Sequence, residues 1–255
     1  MKSCFVYQPQ GLGDIIFVQK IVHHYKSLGY RIIFPIIEHY KWAIPYFEQS
    51  NVEFVVLTND RKVIEPFEHS DQITYLMQST DALFRRPVHA LDFVYLSCGP
   101  STIDSNEMMT SKYAVSDVDY NDWQKYVKIN RNIETEYKLF YDILGLSDGE
   151  KYTLINEKSS SEHISINDAP GKNIRLINIE GYSFFDWIMV IKNASRIITI
   201  DTSICYLAEV YCSKNIDCYI INRYNTPSFV DLPKIFKLPW KYCLNSGEVN
   251  LNANI

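Results

Sequence analysis

The sequence predicts an α/β fold built from two halves in series, each a parallel sheet covered by helices. Three observations predict it: short apolar strands alternate with amphipathic helices early in the chain, a polar helical stretch follows, and the alternation then returns. Such alternation gives parallel sheets, because a helix must carry the chain back before the next parallel strand begins. The predicted domains are residues 1–145 and 146–255.

The first half opens on a strand, a glycine turn and a helix. The apolar strand Cys4–Gln8 leads into Gly11-Leu12-Gly13-Asp14, and apolar residues then recur with helical spacing until Gly29 ends the helix. The later elements predicted for this half are a strand at Tyr30–Ile37, a helix at His39–Gln49, strands at Val52–Leu57, Ile73–Met77 and Leu91–Leu96, and helices at Trp123–Lys128 and Glu134–Leu144, the last ended by Gly145.

The second half repeats the pattern. The predicted strands are Tyr152–Asn156, Arg175–Glu180, Arg196–Ile200 and Asp217–Asn222, with helices at Ser183–Ala194 and Ser203–Cys212. Prolines at 227, 233 and 239 interrupt regular structure in the tail, which we expect to wrap back over the sheet.

Composition excludes several classes of protein. Hydrophobic residues make up 47% of the chain, which excludes a disordered protein, and the formal net charge of −5 argues against a nucleic-acid partner. The apolar runs have the length of strands, so no transmembrane segment is predicted. Without a secretory signal at the N-terminus, a cytoplasmic protein with reduced, mostly buried cysteines is expected.

The glycine turn after the first strand is suited to a ligand. Gly11 and Gly13 let the backbone pass close to a guest molecule, and the helix that follows directs unpaired amides toward an anion. A tight strand-to-helix connection explains the glycines equally well. Asp14 adds a carboxylate that could act as a general base, although it could also simply stabilise the helix N-terminus.

A second polar turn follows the strand Arg196–Ile200. Asp201, Thr202 and Ser203 stand between this strand and an apolar helix. All three are good helix caps, and capping alone would explain them. Their place at the carboxyl end of a strand, where open α/β sheets bind ligands, favours a binding role.

Both turns lie in segments that resemble one enzyme family. The run IEGYSFFDWIMVIKNASRIITIDTSICYLAEV (residues 179–210) is similar to the donor-side region of GT-B glycosyltransferases related to the bacterial heptosyltransferases. The run QGLGDIIFVQKI (residues 10–21) is similar to the Gly-x-Gly-Asp opening of the same family. Relatives usually have Gly in place of Ser203 and His in place of Tyr206, so the donor sugar stays open.

The resemblance implies a GT-B fold, with two Rossmann-like domains facing each other across a cleft. The C-terminal domain would hold a nucleotide-sugar donor and the N-terminal domain a glycan or glycoconjugate acceptor, for transfer that is metal-independent, inverting and without a cofactor. Asp14 would be the catalytic base. Asp201, Thr202 and Ser203 would contact the donor, with Gly11, Leu12 and Gly13 making room for it.

Loss of a nucleoside diphosphate requires groups that stabilise negative charge. Lys158, in the loop after Tyr152–Asn156, and Arg223, after the strand Asp217–Asn222, are candidate cations, and both could also be solvated surface charges. Glu180 and Tyr182, at the end of a predicted strand, are candidates for contact with the nucleoside.

The sequence shows no metal site. No histidine lies near another histidine or a cysteine at the spacing of metal ligands, and Asp117-Val118-Asp119 falls in a polar, irregular region where it reads as a chance match.

Two other functions fit part of the pattern. An NAD(P)-dependent oxidoreductase would explain Gly11 and Gly13, with Glu38 ending the second strand, but Ile16 stands where the dinucleotide fingerprint has its third glycine. A non-catalytic nucleotide-sugar-binding protein is the other alternative.

Overall fold

The computed structural model describes seven stretches of the chain, and all structural statements below concern them: residues 2–47, 50–57, 87–89, 93–98, 107–159, 161–223 and 231–244. The strand predicted at Ile73–Met77 and Pro227 of the tail lie outside these residues.

The chain folds into two compact units. The first comprises Met1–Asn130 and Val230–Ile235, and the second comprises Arg131–Phe229 and Phe236–Ile255. The division at residue 130 differs from the domain boundary predicted at 145, because the helical stretch before Gly145 packs within the second unit. Phe140 contacts the ring of Tyr152, and the Arg131 guanidinium lies over the ring of Tyr211.

The first unit contains a five-stranded sheet with the order β3-β2-β1-β5-β4. Four of these strands pair in parallel, as predicted, but β4 runs antiparallel to β5. The antiparallel pairing is short, because it covers only two residues of each strand. Antiparallel neighbours, unlike parallel ones, can be joined by a short connection. The strands are β1 (Ser3–Tyr7), β2 (Arg31–Ile37), β3 (Val52–Leu57), β4 (Val88–His89) and β5 (Phe93–Ser97).

The helix predicted after Asp14 is broken at Val18. Beside this break, the side-chain Nε2 of Gln19 donates a hydrogen bond to the Ile15 carbonyl at 2.9 Å. Gly29 ends the second helix, as predicted, and has a positive φ. The α-helices of the first unit are α1 (Leu12–Phe17), α2 (Gln19–Ser27), α3 (Ile44–Phe47), α4 (Thr110–Ala114) and, from the later part of the chain, Leu232–Ile235; Glu38–Ala43 and Trp123–Tyr126 are 3-10 helices.

The second unit contains a five-stranded parallel sheet with the order β10-β9-β8-β6-β7. Counted within the unit, this is the 2-1-3-4-5 order of doubly wound folds. The strands are β6 (Tyr152–Asn156), β7 (Lys172–Arg175), β8 (Arg196–Ile200), β9 (Asp217–Ile221) and β10 (Trp240–Cys243).

Two predictions for the second unit are wrong. The strand expected at Arg175–Glu180 ends at Arg175, because its ladder with β6 covers only Lys172 to Arg175. The tail expected to lack regular structure adds β10 to the sheet edge, pairing in parallel with β9 directly after Pro239. A proline is tolerated there because it lies before the first paired residue.

The helices of the second unit follow the predicted order. The helix expected at Ser183–Ala194 begins as a 3-10 turn in which Ser183 and Asp186 form a capping box. The helices are α5 (Ile133–Tyr137), which continues as the π-helix Lys138–Ile143, the 3-10 turn Phe184–Trp187, α6 (Ile188–Asn193) and α7 (Ser203–Tyr211). In the described part of the chain, none of the helices has the length and apolarity needed to cross a membrane.

Candidate active site

The connection from β1 to α1 positions Asp14. Gly11 precedes α1 with a φ of 79°, a left-handed conformation that favours glycine. Leu12 and Gly13 begin the helix and are buried, so the Leu12 side chain packs in the core. A Cβ atom at position 11 would overlap Oδ2 of Asp14. The glycine is therefore required both for the turn and for the place of the carboxylate.

The Asp14 carboxylate forms an ion pair with a buried lysine of α4. Lys112 Nζ lies 3.1 Å from Asp14 Oδ1, and the two side chains are 2% and 29% exposed. Lys112 Nζ also donates hydrogen bonds to Gln8 Oε1 at 2.9 Å and to the Cys98 carbonyl at 2.8 Å. Gln8 and Cys98 directly follow β1 and β5, so the lysine connects the ends of two neighbouring strands to Asp14.

This group of residues lies at the point where the strand order of the first sheet reverses. From β1 the chain builds β2 and β3 on one side, and β5 lies on the other side of β1. In open α/β sheets, ligands bind outside the carboxyl ends of the strands at such a switch point. Asp14 and Lys112 therefore occupy the place in the first unit where a substrate is expected.

The cysteine beside this group does not supply a nucleophile near neutral pH. Burial raises the pKa of the Cys98 thiol to about 12, although the Lys112 ammonium opposes the shift. A thiol is reactive only as its thiolate. Cys98 therefore contributes its carbonyl to the site rather than its sulfur.

The second unit has its own switch point, between β6 and β8. Asn156 ends β6, and its amide donates hydrogen bonds to Thr199 Oγ1 at 3.0 Å and to Thr202 Oγ1 at 3.1 Å. Thr202 stands at the N-cap of α7, but its side chain makes no capping hydrogen bond. Capping therefore does not account for the Thr202 hydroxyl, which also lies 3.5 Å from Thr199 Oγ1 in a network of side chains at the ends of β6 and β8.

Asp201 and Arg223 come together at the ends of β8 and β9. Arg223 Nη2 lies 3.6 Å from Asp201 Oδ2, and the backbone N–H of Asp201 donates to the Ile221 carbonyl at 3.0 Å. Both charged side chains are partly exposed, so the pair itself adds little to stability. The structure thus places the predicted cation Arg223 beside the predicted donor-binding residue Asp201.

The other predicted donor-side residues lie in loops, turns or the first turn of α7. Lys158 is exposed and pairs through its backbone with His163, and Ser203 is half-buried as the first residue of α7. Glu180 is exposed and Tyr182 half-buried around a turn at Gly181. Neither ends a strand, because β7 stops earlier, and the roles given to Lys158, Glu180 and Tyr182 stay predictions.

The Asp-x-Asp sequence of the first unit forms a local turn. Asp117 has a positive φ of 53°, and Asp119 Oδ1 accepts hydrogen bonds from the backbone and side-chain nitrogens of Asn121. Over the residues that the structure describes, no group of three or more His, Cys, Asp or Glu side chains could hold a metal ion.

Sequence reasoning missed Gln8, Lys112, Asn156 and Thr199. Gln8 and Asn156 had a visible signal, because each is a polar residue at the carboxyl end of an apolar strand. Lys112 had none. It stands in a polar stretch with no periodic pattern, and only the fold brings it to Asp14, 98 residues away (112 − 14).

Comparison with solved structures decides the fold. A glycosyl transferase family 9 structure from Veillonella parvula DSM 2008 superposes with a TM-score of 0.56 at 12% identity, over 99% of this chain and 89% of that one. The chain has the fold of a family 9 glycosyltransferase. No protein-family model matches the sequence, and no curated protein matches it.

Two further solved structures, each 11% identical in sequence to this chain, are similar to it with lower TM-scores. One is TibC, an iron-containing dodecameric glycosyltransferase from enterotoxigenic E. coli H10407, with a TM-score of 0.48 over 97% of this chain and 62% of TibC. The other is the E. coli heptosyltransferase WaaC with ADP-2-deoxy-2-fluoro heptose, with a TM-score of 0.43 over 95% of this chain and 93% of WaaC.

Proposed function

We propose that the protein is a glycosyltransferase that moves a sugar from a nucleotide-sugar donor to a hydroxyl group of a glycan or glycoconjugate acceptor, with Asp14 as the general base. The observation that carries the proposal is the partly exposed Asp14 carboxylate, held at the switch point of the first sheet in a family 9 fold. Transfer without a metal and with inversion is part of the same proposal.

The proposed reaction uses Asp14 for one proton transfer. The acceptor oxygen attacks the anomeric carbon of the donor, the bond from that carbon to the diphosphate oxygen breaks, and the nucleoside diphosphate leaves with the electron pair. Asp14 takes the proton of the attacking hydroxyl. A positioned general base of this kind contributes about 10²- to 10⁴-fold to the rate.

The second unit supplies groups for the departing diphosphate. The backbone N–H groups in the first turn of the nine-residue helix α7 point out of its N-terminus, where the Thr202 hydroxyl also lies. Arg223 beside Asp201 supplies positive charge at the end of the neighbouring strand. Together these groups can stabilise the negative charge that develops on the leaving group.

The oxidoreductase alternative finds less support. A dinucleotide fingerprint needs its third glycine so that the helix can pack closely on the strand. Ile16 stands there with its side chain fully buried in the core. The first unit therefore lacks one of the glycines on which that alternative depends.

A screen of nucleotide sugars, combined with paired substitutions, tests the proposal. Thermal shift with UDP-, GDP- and ADP-sugars identifies the donor, and release of nucleoside diphosphate, with water or simple methyl glycosides as acceptors, measures the activity. We expect Asp14→Asn to lower kcat by about 10²- to 10⁴-fold with little change in donor affinity. We expect Asp201→Ala to weaken donor binding, because the Asp201 carboxylate then no longer holds the Arg223 guanidinium in place for the donor.

Asp119→Asn is the matched control, since it makes the same chemical change in a turn of the first unit. It should leave both activity and donor binding unchanged. The proposal is wrong if NAD(H) raises the melting temperature while no nucleotide sugar does, or if Asp14→Asn transfers sugar as fast as the parent. Binding of a nucleotide sugar without release of nucleoside diphosphate would identify a non-catalytic binding protein.

A further inference from the structure

We propose that Lys112 is a positioning residue for Asp14, and that its ammonium group fixes which carboxylate oxygen faces the acceptor hydroxyl. The inference rests on the proposed function, because it gives a role to Asp14 in proton transfer. The Lys112 side chain is almost completely buried.

The ammonium group of Lys112 is surrounded by three acceptor groups of the protein. A lysine ammonium has three N–H donors. Lys112 Nζ donates to Gln8 Oε1 at 2.9 Å and to the Cys98 carbonyl at 2.8 Å, and Asp14 Oδ1 lies 3.1 Å from it as the partner of an ion pair. Lys112 is therefore held by the protein on the sheet side, and its charge acts on Asp14.

Two neutral acceptors hold the ammonium in place from the sheet side. Gln8 is itself fixed, because its Nε2 donates to the Gln10 carbonyl at 2.6 Å, and the Cys98 carbonyl belongs to the backbone after β5. The position of Nζ is thus set by the ends of β1 and β5. Asp14 Oδ1 follows that position, since it is the charged partner of the ammonium.

The second carboxylate oxygen is then directed toward Gly11. Oδ2 occupies the space that a Cβ at Gly11 would fill. With Oδ1 engaged by Lys112, Oδ2 is the oxygen that remains to accept the hydrogen bond of an incoming hydroxyl. A base must lie within hydrogen-bond reach of the proton that it removes, and a misplacement of about 1 Å can cost about 10²-fold in rate.

Removal of the ammonium, followed by its chemical replacement, tests this role. We expect Lys112→Ala to lower kcat for nucleoside diphosphate release by about 10²-fold with little change in the donor KM. Added propylammonium, which fits the vacated space and carries the same charge, should restore part of kcat. Propanol should not, because it has the same size without the charge.

A second variant is needed in case the Lys112→Ala protein does not fold. Lys112→Met keeps most of the side-chain volume, so we expect a folded protein with the same loss of kcat and no response to propylammonium. Lys20→Ala is the matched control, because Lys20 is another mostly buried lysine of the first unit that pairs with an aspartate, Asp119. It should keep full activity and show no response to either additive.

Crystal structures of the parent and of Lys112→Met give a readout that does not depend on activity. We expect the Asp14 carboxylate to leave its place beside Gly11 in the variant. The inference is overturned if the carboxylate stays there, if kcat is unchanged in both Lys112 variants, or if propanol restores activity as well as propylammonium does. A parent enzyme without transferase activity would refute the proposed function instead, and the carboxylate position would still decide the role of Lys112.

Discussion

At the scale of single residues, the position of the Asp14 carboxylate depends on the glycine at position 11. The glycine is needed twice, for a left-handed turn and for the space in which Asp14 Oδ2 lies. These two needs can be separated by experiment, because other glycines of the chain have only the first one. Gly29, for example, has a φ of 84° and no atom within 4 Å of the position that a Cβ would take.

We expect Gly11→Ala to reduce both stability and activity. A left-handed conformation costs a residue with a Cβ about 1 to 2 kcal/mol, and the new methyl group must also displace the Asp14 carboxylate. Urea unfolding measures the first effect, and the rate of nucleoside diphosphate release measures the second.

Gly29→Ala provides the comparison. It should lose a similar free energy of unfolding through its φ and keep its activity, because nothing lies against the added methyl group. Equal activity of Gly11→Ala and Gly29→Ala would contradict the role given to the carboxylate position.

Sequence reasoning reached residues that lie next to strand ends and missed those that the fold delivers from elsewhere. Asp14 and Thr202 could be found because each follows a recognisable strand within a few residues. Lys112 could not, since a lysine in a polar stretch is normally solvated and only the packing of α4 buries it. Buried charged partners of a catalytic group are therefore the part of a site that a pattern shows least well.

At the scale of elements, the short helix α4 depends on a residue from far along the chain. Asp231 is fully buried and accepts hydrogen bonds from the backbone N–H groups of Met109 and Thr110, at 3.0 and 2.5 Å, and from the Thr110 hydroxyl at 2.6 Å. Helix N-termini leave backbone donors unpaired, and a carboxylate stabilises them. Asp231 thus holds the helix that carries Lys112.

We expect Asp231→Ala to lower the free energy of unfolding by about 3 kcal/mol, because two backbone donors and one hydroxyl lose their buried acceptor. Because α4 then loses its anchor, kcat should fall as well, with the donor KM unchanged. Urea unfolding and steady-state kinetics measure the two effects.

Asn132→Ala is the control for Asp231→Ala. Asn132 caps α5, a helix of the same length, through its bond to the Thr135 N–H, but on the protein surface. Its loss should cost about 1 kcal/mol and leave kcat unchanged. An Asp231→Ala protein with normal kcat would show that α4 holds Lys112 without this cap.

The pattern of elements was largely predictable, and the exceptions have local causes. Strands β3, β6 and β8 have the predicted bounds, because each is an apolar run between clear breaks. β10 was not predicted because the neighbouring prolines suggested an irregular tail. β7 was predicted too late in the sequence because apolar residues also follow it. The cleft expected between the two halves stays a prediction.

At the scale of the whole molecule, many buried hydroxyl and thiol groups make stability sensitive to alkali. Burial raises the pKa of Tyr25, Tyr95, Tyr113 and Tyr152 well above the usual value of about 10, and it also raises that of the Cys98 thiol. The unfolded chain therefore releases these protons first. The stability is complete below the unfolded pKa values and is lost as the pH rises through the folded ones.

We expect the free energy of unfolding to fall steeply above about pH 10, by about 1.4 kcal/mol per pH unit for each such tyrosine. Urea unfolding at pH 8, 9, 10 and 11 measures the slope. Tyr152→Phe removes one of these groups, whose hydroxyl donates to the Val190 carbonyl, and should reduce the slope by that amount. A slope that is the same in this variant, or a free energy that is constant up to pH 11, would contradict the expectation.

The return of Asp231 to the first unit also sets the order in which that unit can be completed. Asp231 lies 121 residues after Thr110 in the sequence, and most residues of the second unit are translated between these two positions. A chain that emerges from the ribosome therefore exposes the Lys112 helix long before its cap has been synthesised. The helix that brings Lys112 to Asp14 should consequently gain its full support late in biosynthesis, although Asp14 itself is translated among the first residues.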